Sequence, residues 1–404
     1  MTEAYIVATA RSPIGRARKG SLADVRPDDL AAGMVRAALD RVPGLDPARI
    51  DDLLVGCGQP AGEQGFNLAR IVAVLLGWDT VPGTTVNRYC SSSLQTTRMA
   101  FHAIKAGEGD VFVSAGVEAV SRYGAGASDI PDAANPAFTA AFARTVARAG
   151  AGAAAWNDPR TTGALPDPYI AMGQTAENVA QLRGITRAEQ DAFAARSQQR
   201  AEAAVASGFW ARDITPVTLA DGTVVAADDG PRPGVTVEAL AALDPVFRPD
   251  GTVTAGNCCP LNDGAAAVVV VSDRVVDELG LQPLARIVST GVSALSPEIM
   301  GLGPVEASRR ALALAGLSID DMDLVEINEA FAAQVIPSAR ELGIDPERLN
   351  VHGGAIAVGH PFGMTGARIT STLINGLAAT GGRYGLETMC VGGGQGMAMV
   401  LERV

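Results

Sequence analysis

The chain has 404 residues, 48% of them hydrophobic and 19% charged, and a formal net charge of −12. That composition excludes a disordered chain, and the length calls for two or three domains rather than one simple core. The acidic balance argues against a nucleic-acid partner, which needs a basic surface. It leaves room for a phosphate-bearing ligand held by local arginines. The five cysteines (57, 90, 258, 259 and 390) lack zinc-site or disulfide-framework spacing. Reduced thiols and no metal are therefore expected. The N-terminal residues lack a secretory pattern, and no run of about 18 apolar residues occurs. The last residues, Leu401-Glu402-Arg403-Val404, are not a peroxisomal address. A cytoplasmic protein without a membrane partner is expected.

In chain order, residues 5–10 read as a buried strand, 30–40 as a helix and 52–56 as a second strand. The following Gly56-Cys57-Gly58-Gln59-Pro60-Ala61-Gly62 lacks the spacing of a dinucleotide-binding turn. A strand-like stretch at 84–87 leads to Cys90, and a helical pattern occupies 92–106. A cysteine at a helix N-terminus meets free N–H groups and the positive end of the dipole, which favour the nucleophilic thiolate. The alternative is a structural cysteine at a strand end. Residues 111–115 read as another strand.

The segment 121–251 reads differently, because Pro131, Pro136, Pro159, Pro166, Pro168, Pro216, Pro231 and Pro233 interrupt it. Its one strong helix, 188–206, is introduced by Thr186 as N-cap with Glu189 at the capping-box position. An insertion of loops and helices is expected here, returning near Thr252 and covering a binding site.

Strands follow at 265–271 and 284–292, a helix at 305–315 and a strand at 323–327. Asn328 at that strand's end suits positioning of a water or oxyanion, or simply a helix cap. The glycine-rich stretch 350–368 holds His360 between Gly359 and Pro361. Of the three histidines, His102 lies in a helical pattern and His352 suits a strand cap or pocket rim, which leaves His360 as the candidate general base. A last strand, 388–391, carries Cys390 just before the turn Gly392-Gly393-Gly394, where a thiol reaches a pocket or packs in a core.

A short repeat is visible as well. Gly44-Leu45 precedes Leu53-Leu54-Val55, and Gly316-Leu317 precedes Leu324-Val325-Glu326-Ile327, each pair following a helix and leading into a strand. Two similar α/β halves are expected.

Four segments together carry a resemblance: Val86-Asn87-Arg88-Tyr89-Cys90-Ser91-Ser92, Asn328-Glu329-Ala330-Phe331, Gly353-Gly354-Ala355-Ile356-Ala357-Val358-Gly359-His360-Pro361 and Cys390-Val391-Gly392-Gly393-Gly394. Their order and separation resemble the active-site motifs of the thiolase family, and the likeness runs from about residue 3 to residue 403. The resemblance implies a thiolase-like α/β fold: two βαβαβαββ halves in an α/β/α/β/α layering with an inserted loop domain. The expected boundaries are 1–120 plus 252–280 for the first half, 121–251 for the insertion and 281–404 for the second half.

It further implies Cys90 as nucleophile, His360 as its activator, Cys390 as acid/base and Asn328 as holder of a catalytic water, with the N–H groups of Cys90 and Gly392 as one oxyanion hole. Coenzyme A is then a co-substrate, with no tightly bound cofactor. Its contacts fall on Arg232, Ala255, Cys259, Met172 and Phe331. A homodimer or homotetramer is implied. The implied reaction is thiolysis of 3-ketoacyl-CoA to acetyl-CoA and a shortened acyl-CoA, in fatty-acid or related β-oxidation. An acetoacetyl-CoA-specific acetyltransferase is the alternative, and a non-catalytic acyl-CoA binder a more distant one. Cys390 in its glycine-rich setting argues against condensing enzymes that pair one cysteine with two histidines. Four positions depart from common family patterns: Cys259 for serine, Ala171 for histidine, Ser93 for glycine, and Tyr89.

Overall fold

The computed structural model describes residues 2–125 and 134–404; Pro131 of the expected insertion lies outside them. The first half comprises β1 (Ala4–Arg11), α1 (Pro27–Leu39), β2 (Asp52–Gly56), α2 (Leu68–Leu75), β3 (Gly83–Val86), α3 (Ser92–Ala106) and β4 (Val111–Ala119). The chain then leaves the sheet through α4 (Thr139–Arg148), α5 (Met172–Arg183) and α6 (Arg187–Ala206), and returns as β5 (Asn262–Ser272). The second half comprises β6 (Ala285–Ala294), α7 (Gly303–Ala315), β7 (Leu324–Ile327), α8 (Ala332–Leu342), α9 (Thr365–Thr380), β8 (Tyr384–Val391) and β9 (Gln395–Arg403).

The strand order is β7-β8-β9-β6-β1-β5-β4-β2-β3. Each half has the same topology, read outward from the seam between β6 and β1: first strand, fifth, fourth, second, third. In the second half the third strand is reduced to one parallel bridge, Leu349 to Val325. The repeated Gly-Leu pairs lead into the second strand of each half, and Gly44 and Gly316 both adopt positive φ, 83° and 68°. A side chain would be strained in such a turn, so glycine marks it.

Strand alternation explains the layers. On β5, Ala266, Val268 and Val270 join a core shared with α3 and α9. Ala265, Ala267, Val269 and Val271 face the opposite way, into a core shared with α1 and α2. On β8 and β9, Met389, Val391, Met397 and Met399 face the α3/α9 core, whereas Cys390, Ala398 and Val400 face α7 and α8. Three cores separated by the two halves of the sheet give helix, sheet, helix, sheet, helix. The runs lack a polar face because both faces are covered.

The insertion is anchored to this frame. Arg11 of β1, fully buried, donates to Asp213 at 2.6 Å and to Asp228 at 2.7 Å. The α6 capping box foreseen at Thr186 and Glu189 is formed. Helix α4 is a local feature of the proline-rich segment that its composition hides. Among the described residues, no helix is long and apolar enough to cross a membrane.

Helices α3 and α9 meet at their N-termini. A Cβ on Gly366 would lie 2.2 Å from the amide nitrogen of Leu94, and one on Gly116 would lie 2.0 Å from the carbonyl oxygen of Gly363. Gly366→Ala should therefore cost about 1–3 kcal/mol, the range for overpacking a filled core. Urea unfolding would measure it, and an unchanged midpoint would show that the two helices have room to part.

Candidate active site

The nucleophile candidate sits on a tight turn between β3 and α3. Tyr89 holds φ 44°, unusual for a residue with a large side chain. Asn87 Oδ1 accepts the Tyr89 N–H at 2.8 Å, and Ser92 Oγ accepts the Arg88 N–H at 2.9 Å. These bonds present Cys90 at the start of α3, buried. The backbone N–H of Gly392 and that of Cys90 itself both point at the Cys90 sulfur, and both favour its charged form. Burial outweighs them and pushes the thiol up to about 11. The expected favouring of the thiolate by local N–H groups is present, and burial opposes it, so the resting group is a thiol that needs a base.

His360 is buried, with its Nδ1 2.6 Å from Thr365 Oγ1 and its Nε2 3.2 Å from Asn328 Nδ2. The Thr365 hydroxyl donates to the Pro361 carbonyl at 2.8 Å. Its oxygen is then left to accept, which assigns the proton to Nδ1 and leaves the Nε2 lone pair as the base. Burial, and secondarily the charge of Arg368, push the imidazole down to about 3. It is neutral across the physiological range.

Cys390 is fully buried, and its Sγ donates to Gln334 Oε1 at 2.8 Å. Burial pushes this thiol up, and the neighbouring Cys90 adds to the shift. The Cys259 thiol is also pushed up by burial, and then by Cys258, Cys90 and Cys390. The sulfurs of Cys90, Cys259 and Cys390 therefore lie close enough to influence one another.

A ring of contacts joins these parts. Gly392 faces Cys90. Asn328 donates its N–H to the Thr388 carbonyl at 3.0 Å, at the end of β7 beside β8. Asn328 meets His360. Past His360, the Ala367 N–H donates to Ser93 Oγ at 2.9 Å, one turn from Cys90. Ser93 thus supplies a hydrogen bond where glycine would supply none.

Of the expected CoA contacts, Met172 and Cys259 are partly buried against the same apolar cluster that contains Phe331. Cys258 bridges to Phe331, and Cys259 N donates to the Ala330 carbonyl at 3.0 Å. Ala255 is exposed. Arg232 is exposed, away from that cluster, and feels the charge of Arg16. Among the described residues, no group of three or more His, Cys, Asp or Glu side chains is placed to hold a metal ion. The sequence reading missed Thr365 and Gln334. Neither carried a signal of its own in the sequence, where the helix start at Thr365 is not marked either.

A buried thiol facing two N–H groups, a neutral imidazole whose unprotonated Nε2 meets the Asn328 amide, and a second buried thiol are the kinds of group that acyl transfer uses, here on a two-half α/β fold. Residues 4–274 match the model of the thiolase N-terminal domain, and residues 281–403 that of the C-terminal domain. The chain belongs to the thiolase family and is an acyltransferase of it. It is 44% identical to the 3-ketoacyl-CoA thiolase of Bacillus subtilis and 46% identical to the β-ketoadipyl-CoA thiolase of Escherichia coli, with all of both chains covered in each case. A crystal structure of the Bacillus anthracis acetyl-CoA acetyltransferase matches with TM-score 0.86 and 40% identity, over 100% of this chain and 99% of that one.

The depressed His360 has a measurable consequence. Between about pH 3 and 6.5 an unfolded histidine binds a proton that folded His360 refuses, so its contribution to stability falls as pH falls through 6.5. From pH 7 to pH 5 that amounts to about 2 kcal/mol. Urea unfolding of wild type and His360→Asn at both pH values should show the wild type losing about 2 kcal/mol more than the variant over that window. Parallel losses would show that His360 titrates as an ordinary histidine.

Proposed function

We propose that this protein cleaves 3-ketoacyl-CoA by CoA-dependent thiolysis through an acyl-Cys90 intermediate, and that its preferred substrates are longer than acetoacetyl-CoA. The observation that carries the reading is the pairing of two buried thiols with one neutral imidazole. A histidine with one cysteine suffices for acyl transfer. Breaking a carbon–carbon bond needs a second acid/base group for the enolate carbon.

In the degradative direction, Nε2 of His360 takes the Cys90 proton as the sulfur attacks C3 of the substrate. The new oxyanion is held by the N–H groups of Cys90 and Gly392. The C2–C3 electron pair leaves as the enolate of acetyl-CoA. Its thioester oxygen is stabilised by the protonated Nε2 and by a water on Asn328, whose Oδ1 is buried with no partner. Cys390 Sγ–H protonates C2. The acyl group remains on Cys90 until a CoA thiol, its proton passing to the Cys390 thiolate, takes it, and the released Cys90 sulfur recovers its proton from His360.

Coenzyme A is assigned to a path from the exposed Arg232, beside Arg16, to the cluster of Met172, Cys259 and Phe331, with Ala255 at its edge. The clustered guanidinium charges suit phosphates. Homo-oligomerisation is proposed from the edge strand β3, whose residues remain half-exposed, and from the exposed Phe66, Val74 and Leu75 on and before the helix packed against it.

The substrate preference rests on Ala171. It is exposed at the N-cap of α5, directly before Met172, and it places a methyl group where a larger side chain would occupy space. The relatives named for β-ketoadipyl-CoA point to a second reading, a substrate with a distal carboxylate.

Thiolysis of 3-ketoacyl-CoA substrates of four to sixteen carbons, with 3-oxoadipyl-CoA beside them and Cys90→Ser as control, tests these readings. Turnover should vanish in the control and rise beyond four carbons. A profile peaking at acetoacetyl-CoA would overturn the size preference, and one peaking at 3-oxoadipyl-CoA would favour the second reading. Ala171→His should lower kcat/KM for long substrates by about 10-fold or more, equivalent to roughly 1.4 kcal/mol of lost transition-state contact. Acetoacetyl-CoA turnover should change little.

A further inference from the structure

We propose that Gln334 is a positioning residue for Cys390, its carboxamide supplying an acceptor to the thiol and, on rotation, a donor to the thiolate. The inference rests on the thiolase reading of Cys390 and concerns a residue to which that reading assigns no part.

Gln334 is fully buried in the first turn of α8, which begins just after Asn328-Glu329-Ala330-Phe331. The root of its side chain is fixed. Its N–H donates to the Phe331 carbonyl at 3.1 Å, and a Cβ on Gly301 would lie 2.7 Å from the Gln334 Cβ. One turn on, Ser338 Oγ donates to the Gly301 carbonyl at 3.2 Å, which holds the same contact from below. The outer end is defined on one side only. Oε1 accepts the Cys390 S–H at 2.8 Å, while Nε2 is buried with no partner. Buried amide nitrogens are rarely left so, and each one asks for a reason.

The chemistry of Cys390 supplies one. In condensation, a C–H proton of acetyl-CoA moves to Sγ, and the C–H electron pair becomes the enolate. In thiolysis, the S–H proton moves to the enolate carbon, and its bonding pair stays on sulfur. Cys390 therefore alternates between a group that donates a hydrogen bond and one that accepts. A carboxylate partner would serve the thiol and repel the thiolate; an ammonium would do the reverse. A carboxamide serves both by turning its terminal bond half a revolution, with no change in charge. The lone Nε2 is the group held in reserve for the thiolate. Burial and the adjacent Cys90 both oppose the charged form of Cys390, and beside Gln334 only the backbone N–H of Cys390 itself favours it.

Two exchange reactions in one protein preparation separate this role from a structural one. Acyl exchange between acetyl-CoA and isotopically labelled CoA uses Cys90 and His360 and moves no carbon-bound proton. Loss of deuterium from the methyl group of deuterated acetyl-CoA into water, followed by mass spectrometry, requires Cys390 to act as base. In Gln334→Met, close in size but without a donor, deuterium loss should fall by about 10- to 100-fold, within the span attributed to a placed acid or base. Acyl exchange should stay within about 3-fold, the low end of what a single lost hydrogen bond produces.

Gln334→Glu keeps an acceptor and serves as the second variant should Met disturb packing. Its deuterium loss should fall as well, and the rate should need a higher pH to recover, because the carboxylate disfavours the thiolate. Equal falls in both exchanges would make Gln334 merely structural, and unchanged deuterium loss would remove it from the reaction. Absence of acyl exchange in the wild type would instead overturn the thiolase reading itself.

Discussion

The constraint on which the rest of the structure depends is the contact between the N-termini of α3 and α9. Each is the helix that follows the third strand of its half, so the pseudo-symmetry of the fold brings like ends together. The approach is closer than side chains permit, with glycine at 366 against Leu94 and at 116 against the loop that carries His360. Ser93 then lends its hydroxyl to the Ala367 N–H, one of the free donors of the α9 first turn. The nucleophile candidate comes from one half and the base from the other. The site therefore exists only where both halves have folded and docked, and it is buried for the same reason.

Burial sets the resting protonation. It raises Cys90 to about 11 and lowers His360 to about 3, so the empty site holds a neutral thiol beside a neutral imidazole. The two N–H groups aimed at Cys90 oppose that result without reversing it. They are worth most when negative charge develops nearby, which makes them better suited to an oxyanion than to a standing thiolate. A site that carries no charge until substrate arrives also protects its thiols, since the thiolate is the form that oxidises and alkylates.

Much of this was legible in the sequence, and the exceptions have physical causes. The strands at 5–10, 52–56 and 265–271 were readable because burial on both faces makes the runs mostly apolar rather than alternating. The α6 capping box was readable because it is a local pattern. The glycine run around His360 signalled a backbone under close contact, although not that the helix α9 would begin at Thr365. Helix α4 was hidden because proline composition describes a segment and not its individual turns. The N–H groups that favour the Cys90 thiolate were foreseeable because a helix terminus is visible in sequence, whereas the desolvation that opposes them is not. Thr365 and Gln334 were invisible for a different reason: a neutral polar residue in a helix looks the same whether it faces water or a reacting sulfur.

That last class points to how the site divides its labour. Two buried carboxylates, Glu118 and Glu329, lie near the candidate site, and the hydrogen bonds they accept come from elsewhere. Glu118 accepts the N–H groups of Gly58, Gln59 and Gly363, and Glu329 accepts the Ile356 N–H together with Ser197 and Asn350. Their charges are spent on holding loops in shape. The atoms that face His360 and Cys390 belong instead to a threonine hydroxyl, an asparagine amide and a glutamine amide. A carboxylate beside His360 would favour the imidazolium and trap the first proton transfer. One beside Cys390 would prevent the second. A reaction that runs in both directions returns each proton to where it began, so no protonation state can be stabilised far above its counterpart. Neutral partners that both give and accept hydrogen bonds meet that condition, and formal charges at the same places would not.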